Sequence, residues 1–217
     1  MRIKNIRYND ITMNVHYGCG HTAPPSWINF DASPTLMLEK IPFLGKIIQK
    51  NAKRFPKNIK YGDIVKGLPI PQESCDAIYC AHVLEHLSYQ DCLKAVKNTF
   101  SYLKVNGIFR LVVPDLQCLA SWYLKNTNKS AANDFIMSTG LGLKERKKGI
   151  FGAIVSAFGN SRHQWMYDEQ SLSTILLDAG FRNVRNVGFG ETENKAFMDV
   201  EDINRFERSF GLEAKKP

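Results

Sequence analysis

The chain has 217 residues, with a hydrophobic share of 44% and a charged share of 23%, which is typical of a soluble globular protein. No apolar run approaches the roughly 20 residues that a membrane span needs, and the basic N-terminus lacks the apolar centre of a signal peptide. These properties argue against a membrane-spanning or secreted protein. We therefore expect a single cytoplasmic domain over residues 1–217.

The net charge indicates which classes of partner the protein can bind, and the spacing of the cysteines indicates whether they form a metal site or disulfides. The formal net charge is +8, and basic residues gather over 46–66 and 144–148. This charge suits an acidic glycan, a phosphorylated substrate, nucleic acid or an anionic membrane surface, and it equally suits a solvated surface without a special role. The five cysteines form no Cys-x-x-Cys pair, which argues against a zinc knuckle or a disulfide framework.

The first part of the chain predicts two strands that meet at a glycine turn. The run Ile11-Thr-Met-Asn-Val15 has strand composition, and Gly18 and Gly20 follow it and leave the backbone open to a ligand. Residues 27–30 predict a second strand that delivers Asp31 at its C-terminal end. Ligands of open parallel sheets bind outside such strand ends, where a carboxylate can accept hydrogen bonds from a ribose. We interpret this stretch as the floor of a nucleoside pocket.

The same stretch satisfies the dinucleotide fingerprint Gly-x-Gly-x-x-Ala, so NAD has to be considered as its ligand. Two features argue against NAD. Pro24 and Pro25 follow where the helix that binds the pyrophosphate should continue, and Asp31 comes 13 residues after Gly18 instead of the roughly 20 expected. A cofactor without phosphates needs no such helix, and S-adenosylmethionine is a cofactor of that kind.

Strands and helices alternate through the middle of the chain. The predicted elements are a helix over residues 36–52 interrupted at Pro42, strands over 58–64 and 76–81, a helix from Ser88 that ends at Asn106-Gly107, and a strand over 108–113. Ser88 and Asp91 form a capping-box pattern, and apolar residues of that helix recur at steps of three and four. The alternation predicts an α/β fold with a right-handed, mostly parallel sheet.

An insert interrupts this alternation before the last elements. Residues 126–162 contain a polar stretch, the basic run 144–148 and an apolar, glycine-spaced run over 149–159. Such a segment either forms a lid over the ligand edge or packs on the body as a satellite helix. Asp168 then caps a helix, and two strands over 183–190 and 208–214 are expected to pair antiparallel at one edge of the sheet.

Short motifs follow one another in order along the chain. They are His16-Tyr-Gly-Cys-Gly20, Asn29-Phe-Asp31, Gly62-Asp63, Leu68-Pro69, Asp76-Ala-Ile-Tyr79, His82-Val-Leu-Glu-His-Leu87, Leu103-Lys-Val-Asn-Gly107, Val113-Pro-Asp115 and Asp178-Ala-Gly-Phe181. The ordered set resembles that of class I S-adenosylmethionine-dependent methyltransferases. The resemblance implies a Rossmann-like three-layer sandwich with seven strands, the last one antiparallel. Residues 27–31 and 161–168 resemble a bacterial subgroup linked to the assembly of cell-surface glycans or lipids.

The resemblance also implies which residues bind the cofactor. Gly18 and Gly20 pass under the methionine part, Asp31 holds the ribose hydroxyls, and Asp63 and Ile64 flank the adenine. The full implied set is His16, Gly18, Cys19, Gly20, Asp31, Ala32, Gly62, Asp63, Ile64, Cys80, Ala81 and His82. One departure from the family pattern is His16, which stands where the family usually has an acid.

All five histidines lie at predicted strand ends or in facing loops. Methyl transfer from a sulfonium requires that donor and nucleophile are held close together in a dry site, and a hydroxyl acceptor also needs a base. Because an imidazole titrates near neutral pH, we predict that His86 and His163 are catalytic, followed by His82. A hydrogen-bonded structural role is the alternative for each of them.

The run His82-Val-Leu-Glu-His86 also matches the His-x-x-Glu-His signature of inverted zinc proteases. In addition, Glu85, His86 and His163 resemble three metal ligands of a small-RNA 2′-O-methyltransferase family. The class I motif ordinarily carries Glu-His without a metal, and Glu85 can brace the N-terminus of the following helix. We therefore predict no metal site.

Aromatic and basic residues around the insert predict the acceptor site. Tyr123, Arg162, Trp165 and Tyr167 can bind a sugar or an anionic group by stacking and charge, or can pack against the insert. We predict methyl transfer to an oxygen of a small-molecule or glycan-linked acceptor, with contact to a membrane surface allowed and nucleic acid not expected. The alternative function is a non-catalytic regulatory domain that binds S-adenosylmethionine.

Overall fold

A computed structural model describes residues 12–40, 54–145 and 162–217, and this part of the chain is built around a seven-stranded sheet. The strands are β1 (Asn14–Tyr17), β2 (Ile28–Asp31), β3 (Ile59–Tyr61), β4 (Cys75–Ala81), β5 (Leu103–Pro114), β6 (Arg182–Val187) and β7 (Ser209–Lys215). Their order across the sheet is β3-β2-β1-β4-β5-β7-β6. The first five strands are parallel, whereas β7 pairs antiparallel with β5 and with β6. The predicted sheet with an antiparallel last strand is confirmed.

The helices follow the strands in the expected alternation. The described residues include α1 (Pro34–Lys40), α2 (Tyr89–Tyr102), α3 (Leu116–Lys125), α4 (Ala131–Ser138) and α5 (Glu169–Asp178), with 3-10 turns over Leu84–His86, Lys195–Asp199 and Ile203–Phe206. In these ranges no helix combines the length and the apolar character that crossing a membrane requires. Ser88 Oγ accepts a hydrogen bond from Asp91 N at 3.2 Å, so the predicted N-cap of α2 is confirmed.

The core lies on both faces of the two central strands. Ile78 and Leu111 belong to the cluster packed with α2 and α5, whereas Tyr79 and Val112 pack with Phe197 on the opposite face. Successive side chains of a strand point to opposite faces, so a strand covered on both sides is apolar at nearly every position. The apolar run over 108–113 has that pattern, and the structure confirms that β5 is central.

The boundary between α2 and β5 differs from the prediction. The helix ends at Tyr102 and β5 begins at the next residue, so Asn106-Gly107 lies inside the strand and does not end the helix. Cys75 pairs with Leu103, whereas Ala77 pairs with Ile108, so the residues between these two partners in β5 bulge out of the ladder. The turn signal at Asn106, where φ is +63°, therefore belongs to this bulge.

Two predicted segments extend beyond the described residues. Helix α1 covers residues 36–40 of the helix predicted over 36–52, and the remainder of that prediction lies outside the described residues from position 41. The glycine-spaced run over 149–159 lies outside them as well, together with most of the basic run over 144–148.

Candidate active site

The carboxyl ends of β1, β2, β4 and β5 meet at one edge of the sheet, because these strands are parallel and adjacent. The loops that leave this edge carry most of the predicted site residues. Ligands of open α/β sheets bind at such an edge. The loop after β1 and the loop after β4 form its two halves.

The two glycines of the first loop have different surroundings. Both have positive φ, +63° at Gly18 and +54° at Gly20, a conformation that glycine adopts without strain. A Cβ added at Gly18 would lie 2.2 Å from Cγ2 of Val83, whereas a Cβ at Gly20 would meet no atom within 4 Å. The backbone at Gly18 is therefore packed against the protein, and the backbone at Gly20 is open to a ligand.

Asp31 holds this turn in place. Its Oδ2 accepts a hydrogen bond from Gly20 N at 2.9 Å, and its Oδ1 accepts one from Ser33 N at 2.8 Å. Each carboxylate oxygen has a second lone pair that can accept a further hydrogen bond. Ala32 is exposed beside it. The glycine turn and the Asp31 carboxylate, which the sequence predicts to act together, thus lie side by side at the edge of the sheet.

His16 lies beneath the turn and is 1% exposed. Burial, reinforced by the positive charge of Arg205, lowers the pKa of His16 to about 3, so the imidazole is neutral at pH 7. Neither ring nitrogen has a regular hydrogen-bond partner among the described residues, and the ring packs against Tyr79 with centroids 5.2 Å apart. The position that usually carries an acid therefore carries a neutral, buried base.

The loop after β3 supplies the residues predicted to flank an adenine. Gly62 is packed so closely that a Cβ would lie 2.6 Å from the Phe30 ring. Asp63 Oδ1 accepts a hydrogen bond from Val65 N at 2.9 Å, and the Ile64 side chain is buried. These residues form a rigid rim on the side of the edge that lies next to Asp31.

The residues at the end of β4 are mostly enclosed. The thiols of Cys19 and Cys80 are buried, and burial raises the pKa of both. The Ala81 carbonyl accepts a hydrogen bond from Arg205 Nη1 at 3.1 Å. Cys80 and Ala81 therefore form the wall beneath the site, and the Cys80 side chain belongs to the core.

His82 differs from the other two predicted catalytic histidines. Its Nε2 lies 2.8 Å from the Arg205 carbonyl and its Nδ1 lies 3.2 Å from Glu85 Oε1. Burial opposes a charge on this ring, but the Glu85 carboxylate and the Arg205 carbonyl outweigh it and raise the pKa of His82. Both ring nitrogens lie near acceptor atoms, although the contact of Nδ1 with Glu85 is not aligned as a hydrogen bond, and the catalytic role of His82 stays a prediction.

His86 and His163 lie against each other with ring centroids 4.8 Å apart. His86 Nδ1 is 3.1 Å from the Arg162 carbonyl, and His163 Nδ1 is 2.7 Å from the Thr139 carbonyl. A carbonyl oxygen can only accept, so each Nδ1 carries the proton and each Nε2 has a free lone pair when the ring is neutral. Burial lowers the pKa of His163, although the Glu85 carboxylate opposes this effect.

A cavity of about 270 Å³ opens between His82, His163, the end of β5 and the C-terminal segment. His82, Pro114, Leu119, Ser138, His163 and Arg208 are among the residues that line it. Ser138 comes from α4, so the described part of the insert over 126–162 contributes to the wall, and Leu119 comes from α3, which precedes the insert.

The four residues predicted to bind the acceptor lie in different environments. Tyr167 is 1% exposed and packs in the core, so its ring does not face the cavity and we do not keep it as an acceptor residue. Trp165 is 46% exposed beside Tyr89, and Tyr123 is 37% exposed on Phe135. The exposed Arg162 donates from Nη2 to the Leu141 carbonyl at 2.9 Å.

Arg205 is a site residue that was not predicted from the sequence. It lies in the 3-10 turn Ile203–Phe206, far along the chain from β4, and its guanidinium reaches the end of that strand. Its charge influences His16, Cys19, Tyr79 and His82. Among the described residues it forms no ion pair. No local sequence motif indicates a role for Arg205, because its position at this edge depends on how the segment before the antiparallel strand β7 folds back onto the sheet.

Known proteins with a similar sequence pattern or fold are methyltransferases. A model of the methyltransferase domain family matches residues 17–186. No curated protein matches the chain. A solved S-adenosylmethionine-dependent methyltransferase from Archaeoglobus fulgidus is 16% identical, with 96% of this chain and 88% of that chain covered and a TM-score of 0.50. One from Thermotoga maritima is 16% identical, with 94% and 82% covered and a TM-score of 0.49.

The family match covers most of the chain, including the glycine turn, the strand ends and the paired histidines. The fold is that of the Archaeoglobus enzyme, and the site has an open glycine turn and a carboxylate that suit an adenosine-containing cofactor. The chain therefore belongs to the methyltransferase domain family and is a class I methyltransferase that uses S-adenosylmethionine.

Proposed function

We propose that the protein transfers the methyl group of S-adenosylmethionine to an oxygen atom of a small-molecule or glycan-linked acceptor. The observation that carries this proposal is the cavity of about 270 Å³ at the sheet edge, which His163 borders. A cavity of this size suits one small ring or chain end and not a nucleic-acid helix. Arg208 and Glu207 both line it, so its wall offers one charge of each sign to the acceptor.

The first half of the sheet edge is assigned to the cofactor. The open backbone at Gly20 and the free lone pairs of Asp31 support contacts with the methionine part and the ribose. Asp63 and Ile64 are assigned to the adenine side. The remaining members of the set form the floor and walls, namely His16, Gly18, Cys19, Ala32, Gly62, Cys80, Ala81 and His82.

Arg205 is assigned to the carboxylate of the methionine part. Its guanidinium lies 3.1 Å from the Ala81 carbonyl, at the junction of the two halves of the edge, and it forms no ion pair within the described ranges. A guanidinium can form two parallel hydrogen bonds to a carboxylate. We expect Arg205→Gln to weaken the binding of S-adenosylhomocysteine, measured by calorimetry, by about tenfold.

The second half of the edge is assigned to the chemistry. S-adenosylmethionine, when bound, supplies an electrophilic methyl group on a sulfonium. The protein has to hold the acceptor oxygen in line with that group, exclude water and promote loss of the hydroxyl proton as the new O–C bond forms. We assign this last role to the cluster of Glu85, His86 and His163, because both imidazoles present a free Nε2 lone pair beside a buried carboxylate.

The described part of the insert, residues 126–145, is proposed to cover the acceptor site. Two observations support this role. Ser138 of α4 lines the cavity, and the neighbouring Thr139 carbonyl holds the His163 ring at 2.7 Å. Arg162 at the end of the insert and Trp165 after it are exposed and are assigned to the rim that contacts the acceptor. Tyr123 is assigned to the adjoining surface of α3.

Substitution of the paired histidines tests the assignment of the chemistry. We expect His163→Ala and His86→Ala each to lower turnover with a cell extract by about 100-fold or more, the usual contribution of acid-base groups, with S-adenosylhomocysteine affinity unchanged. Labelled S-adenosylmethionine reports the turnover. Near-normal rates in both variants would contradict the assignment. Tight cofactor binding without any labelled product from the wild type would favour a regulatory domain.

The two glycines provide a matched test of the cofactor half. Both Gly18→Ala and Gly20→Ala place a side chain at positive φ, which costs about 1 kcal/mol. Only Gly18→Ala also drives a Cβ into Val83, and only Gly20→Ala fills the open space of the turn. We therefore expect Gly18→Ala to lower the melting temperature more, and Gly20→Ala to fold and lose cofactor affinity. Unchanged affinity in Gly20→Ala would contradict the proposed position of the cofactor.

A further inference from the structure

Glu85, His86 and His163 bring three ligand atoms to one place. A carboxylate oxygen of Glu85 and one ring nitrogen from each histidine all lie within 4.8 Å of one another. Glu85 and His86 belong to the turn after β4, and His163 enters from the far side of the insert. Two imidazoles and one carboxylate form a donor set that proteins use for divalent transition metals.

The Glu85 carboxylate is buried without the hydrogen bonds that a buried charge needs. The residue is 0% exposed, and neither carboxylate oxygen has a hydrogen bond of regular geometry within residues 12–40, 54–145 and 162–217. His82 Nδ1 approaches Oε1 to 3.2 Å but is poorly aligned, and His163 Nε2 is 3.9 Å away. A buried carboxylate in this condition is costly, and a cation would satisfy it.

Both imidazoles are held as metal-binding histidines are held in proteins. Each donates Nδ1–H to a backbone carbonyl, of Arg162 for His86 and of Thr139 for His163. Such an outer hydrogen bond fixes the tautomer and the ring orientation, and it leaves the Nε2 lone pair for the metal. The pair therefore offers two oriented nitrogen ligands, and the outer contacts come from main-chain atoms.

The frame that carries these side chains is rigid. Gln164 N and Trp165 N donate to the Glu85 carbonyl at 2.7 and 3.2 Å, and Gln164 Nε2 donates to the His86 carbonyl at 2.7 Å. Gly140 lies directly under the His163 ring, where a Cβ would be 2.5 Å from Nδ1. The chain that follows the insert is thus fastened to the turn after β4, and Gly140 of the insert packs against His163.

We propose that Glu85, His86 and His163 bind a divalent first-row transition-metal cation such as Mn²⁺, Co²⁺ or Zn²⁺. Three protein ligands leave open positions, as in catalytic metal sites. The role of the ion rests on the proposed function. With the ion bound, the two Nε2 lone pairs are occupied, so the cluster promotes loss of the hydroxyl proton through the ion and not by accepting the proton itself. At the wall of the cavity that His163 lines, the ion would coordinate the acceptor hydroxyl and lower the pKa of that hydroxyl, so that the proton leaves to solvent as the oxygen takes the methyl group. This proposal reverses the absence of a metal predicted from the sequence.

Metal binding is tested on the full chain, without cofactor or acceptor. After dialysis against EDTA, the protein is titrated with MnCl₂ and with ZnCl₂ in a calorimeter, and Co²⁺ binding is followed by its visible spectrum. We expect one ion per chain. Glu85→Gln and His163→Ala are each expected to weaken binding by more than about tenfold. Glu193→Gln, which changes an exposed carboxylate far from the cluster, should leave the affinity unchanged.

Two outcomes would overturn the proposal. One is the absence of binding in the wild type at metal concentrations up to the millimolar range. The other is equal affinity in the wild type, Glu85→Gln and His86→Ala, which would assign any bound ion to another place. His86 is half-buried and not part of the core, so His86→Ala keeps the test valid if Glu85→Gln fails to fold.

The failure of this proposal is distinguishable from failure of the proposed function. Methyl transfer that continues in EDTA, from a chain that binds no metal, would overturn the metal site and leave the methyl transfer to oxygen intact. Stoichiometric metal binding that Glu85→Gln abolishes, together with transfer to an acceptor nitrogen or carbon, would keep the metal site and overturn the choice of oxygen.

Discussion

Two buried charged clusters of this molecule are built in opposite ways. In the first, Arg110 lies between Glu201, at 2.6 Å, and Glu213, at 3.2 Å, and all three side chains are at most 1% exposed. In the second, Glu85 is just as deeply buried, but the basic group nearest to it is the poorly aligned His82 ring. The first cluster satisfies its carboxylates with a guanidinium, and the second leaves its carboxylate free to bind a ligand.

The satisfied cluster is structural. Arg110 Nη2 also donates to the Gly188 carbonyl at 2.7 Å, and Nη1 donates to the Glu191 carbonyl at 3.0 Å. These bonds fasten the segment after β6 to the centre of β5, and Glu213 in β7 lies directly opposite Arg110 in the register. The comparison teaches that burial of a charge does not itself indicate function. The informative feature is a buried charge that the protein leaves without hydrogen bonds.

Breaking the satisfied cluster should have the largest effect on stability. Arg110→Met leaves the Glu201 carboxylate buried without its cation, whereas Glu213 keeps Arg185 at 2.6 Å. Removal of one partner of a buried ion pair costs about 3–5 kcal/mol. We expect a loss of that size in the free energy of unfolding, measured with urea at pH 7. A loss below about 1 kcal/mol would show that Arg110 does not hold the sheet together.

The same measurement on Glu85→Gln should give the opposite result. In the metal-free protein this change removes a poorly satisfied charge, so we expect the free energy of unfolding to stay within about 1 kcal/mol of the wild type. Added Zn²⁺ should then stabilise the wild type and not the variant, because a ligand stabilises the state that binds it. A large metal-free loss in Glu85→Gln would make the two clusters alike and contradict the comparison.

A substitution that displaces His163 without removing it should impair metal binding and turnover at the cluster of Glu85, His86 and His163, and should leave the Arg110 cluster unchanged. Gly140→Ala would force a Cβ to within 2.5 Å of the His163 ring, whereas Gly190→Ala has the same kind of φ, +74° against +70°, and an ordinary contact of 3.5 Å to Met198. We expect Gly140→Ala to lose about tenfold or more in metal affinity and in turnover, since small displacements of active groups are costly. Gly190→Ala should lose only stability, and equal losses of metal affinity in both variants would contradict this reasoning.

A third buried titratable group, His16, differs from both clusters because its side chain is neutral at pH 7. Its pKa of about 3 lies below the ordinary value of 6.5, so the unfolded chain binds a proton that the folded chain does not bind between these pH values. Stability is therefore fully present above pH 6.5 and falls as the pH drops towards 3, by up to about 1.4 kcal/mol per pH unit.

Replacing His16 should remove this dependence on pH. We expect His16→Phe to lose about 2 kcal/mol less than the wild type between pH 7 and pH 5, measured by urea unfolding at both values. The difference isolates His16, because the carboxylates contribute equally to both proteins. Parallel pH profiles would show that His16 has an ordinary pKa in the folded state.

The fold was predictable because its signals are local. Strand composition, the caps at Ser88 and Asp168, and the alternation of elements each depend on a few neighbouring residues, and the structure confirms them. The predicted C-terminal end of α2 was wrong because the helical spacing of apolar residues continues past Tyr102, into residues that belong to β5. Arg110 also carried a readable signal, since a single charge within the apolar run over 108–113 requires a buried partner.

The site was predictable only in part, because its geometry depends on contacts between distant segments. The glycine turn and Asp31 are close in the chain, so their meeting could be predicted. The approach of His163 to Glu85 joins segments that are 78 residues apart in the chain. No sequence pattern near Glu85 indicates that its carboxylate lacks hydrogen-bond donors. The burial of Tyr167 and the reach of Arg205 depend in the same way on how the C-terminal elements return to the sheet.

Anomalous diffraction from crystals of the full chain, grown with Mn²⁺ and S-adenosylhomocysteine, tests the central claim most directly. We predict one anomalous peak bounded by Glu85, His86 and His163, with density for the ligand over the glycine turn. Density over the turn with no anomalous peak at the cluster, or with His82 hydrogen-bonded to a fully satisfied Glu85, would contradict the claim that this carboxylate is held open for a cation.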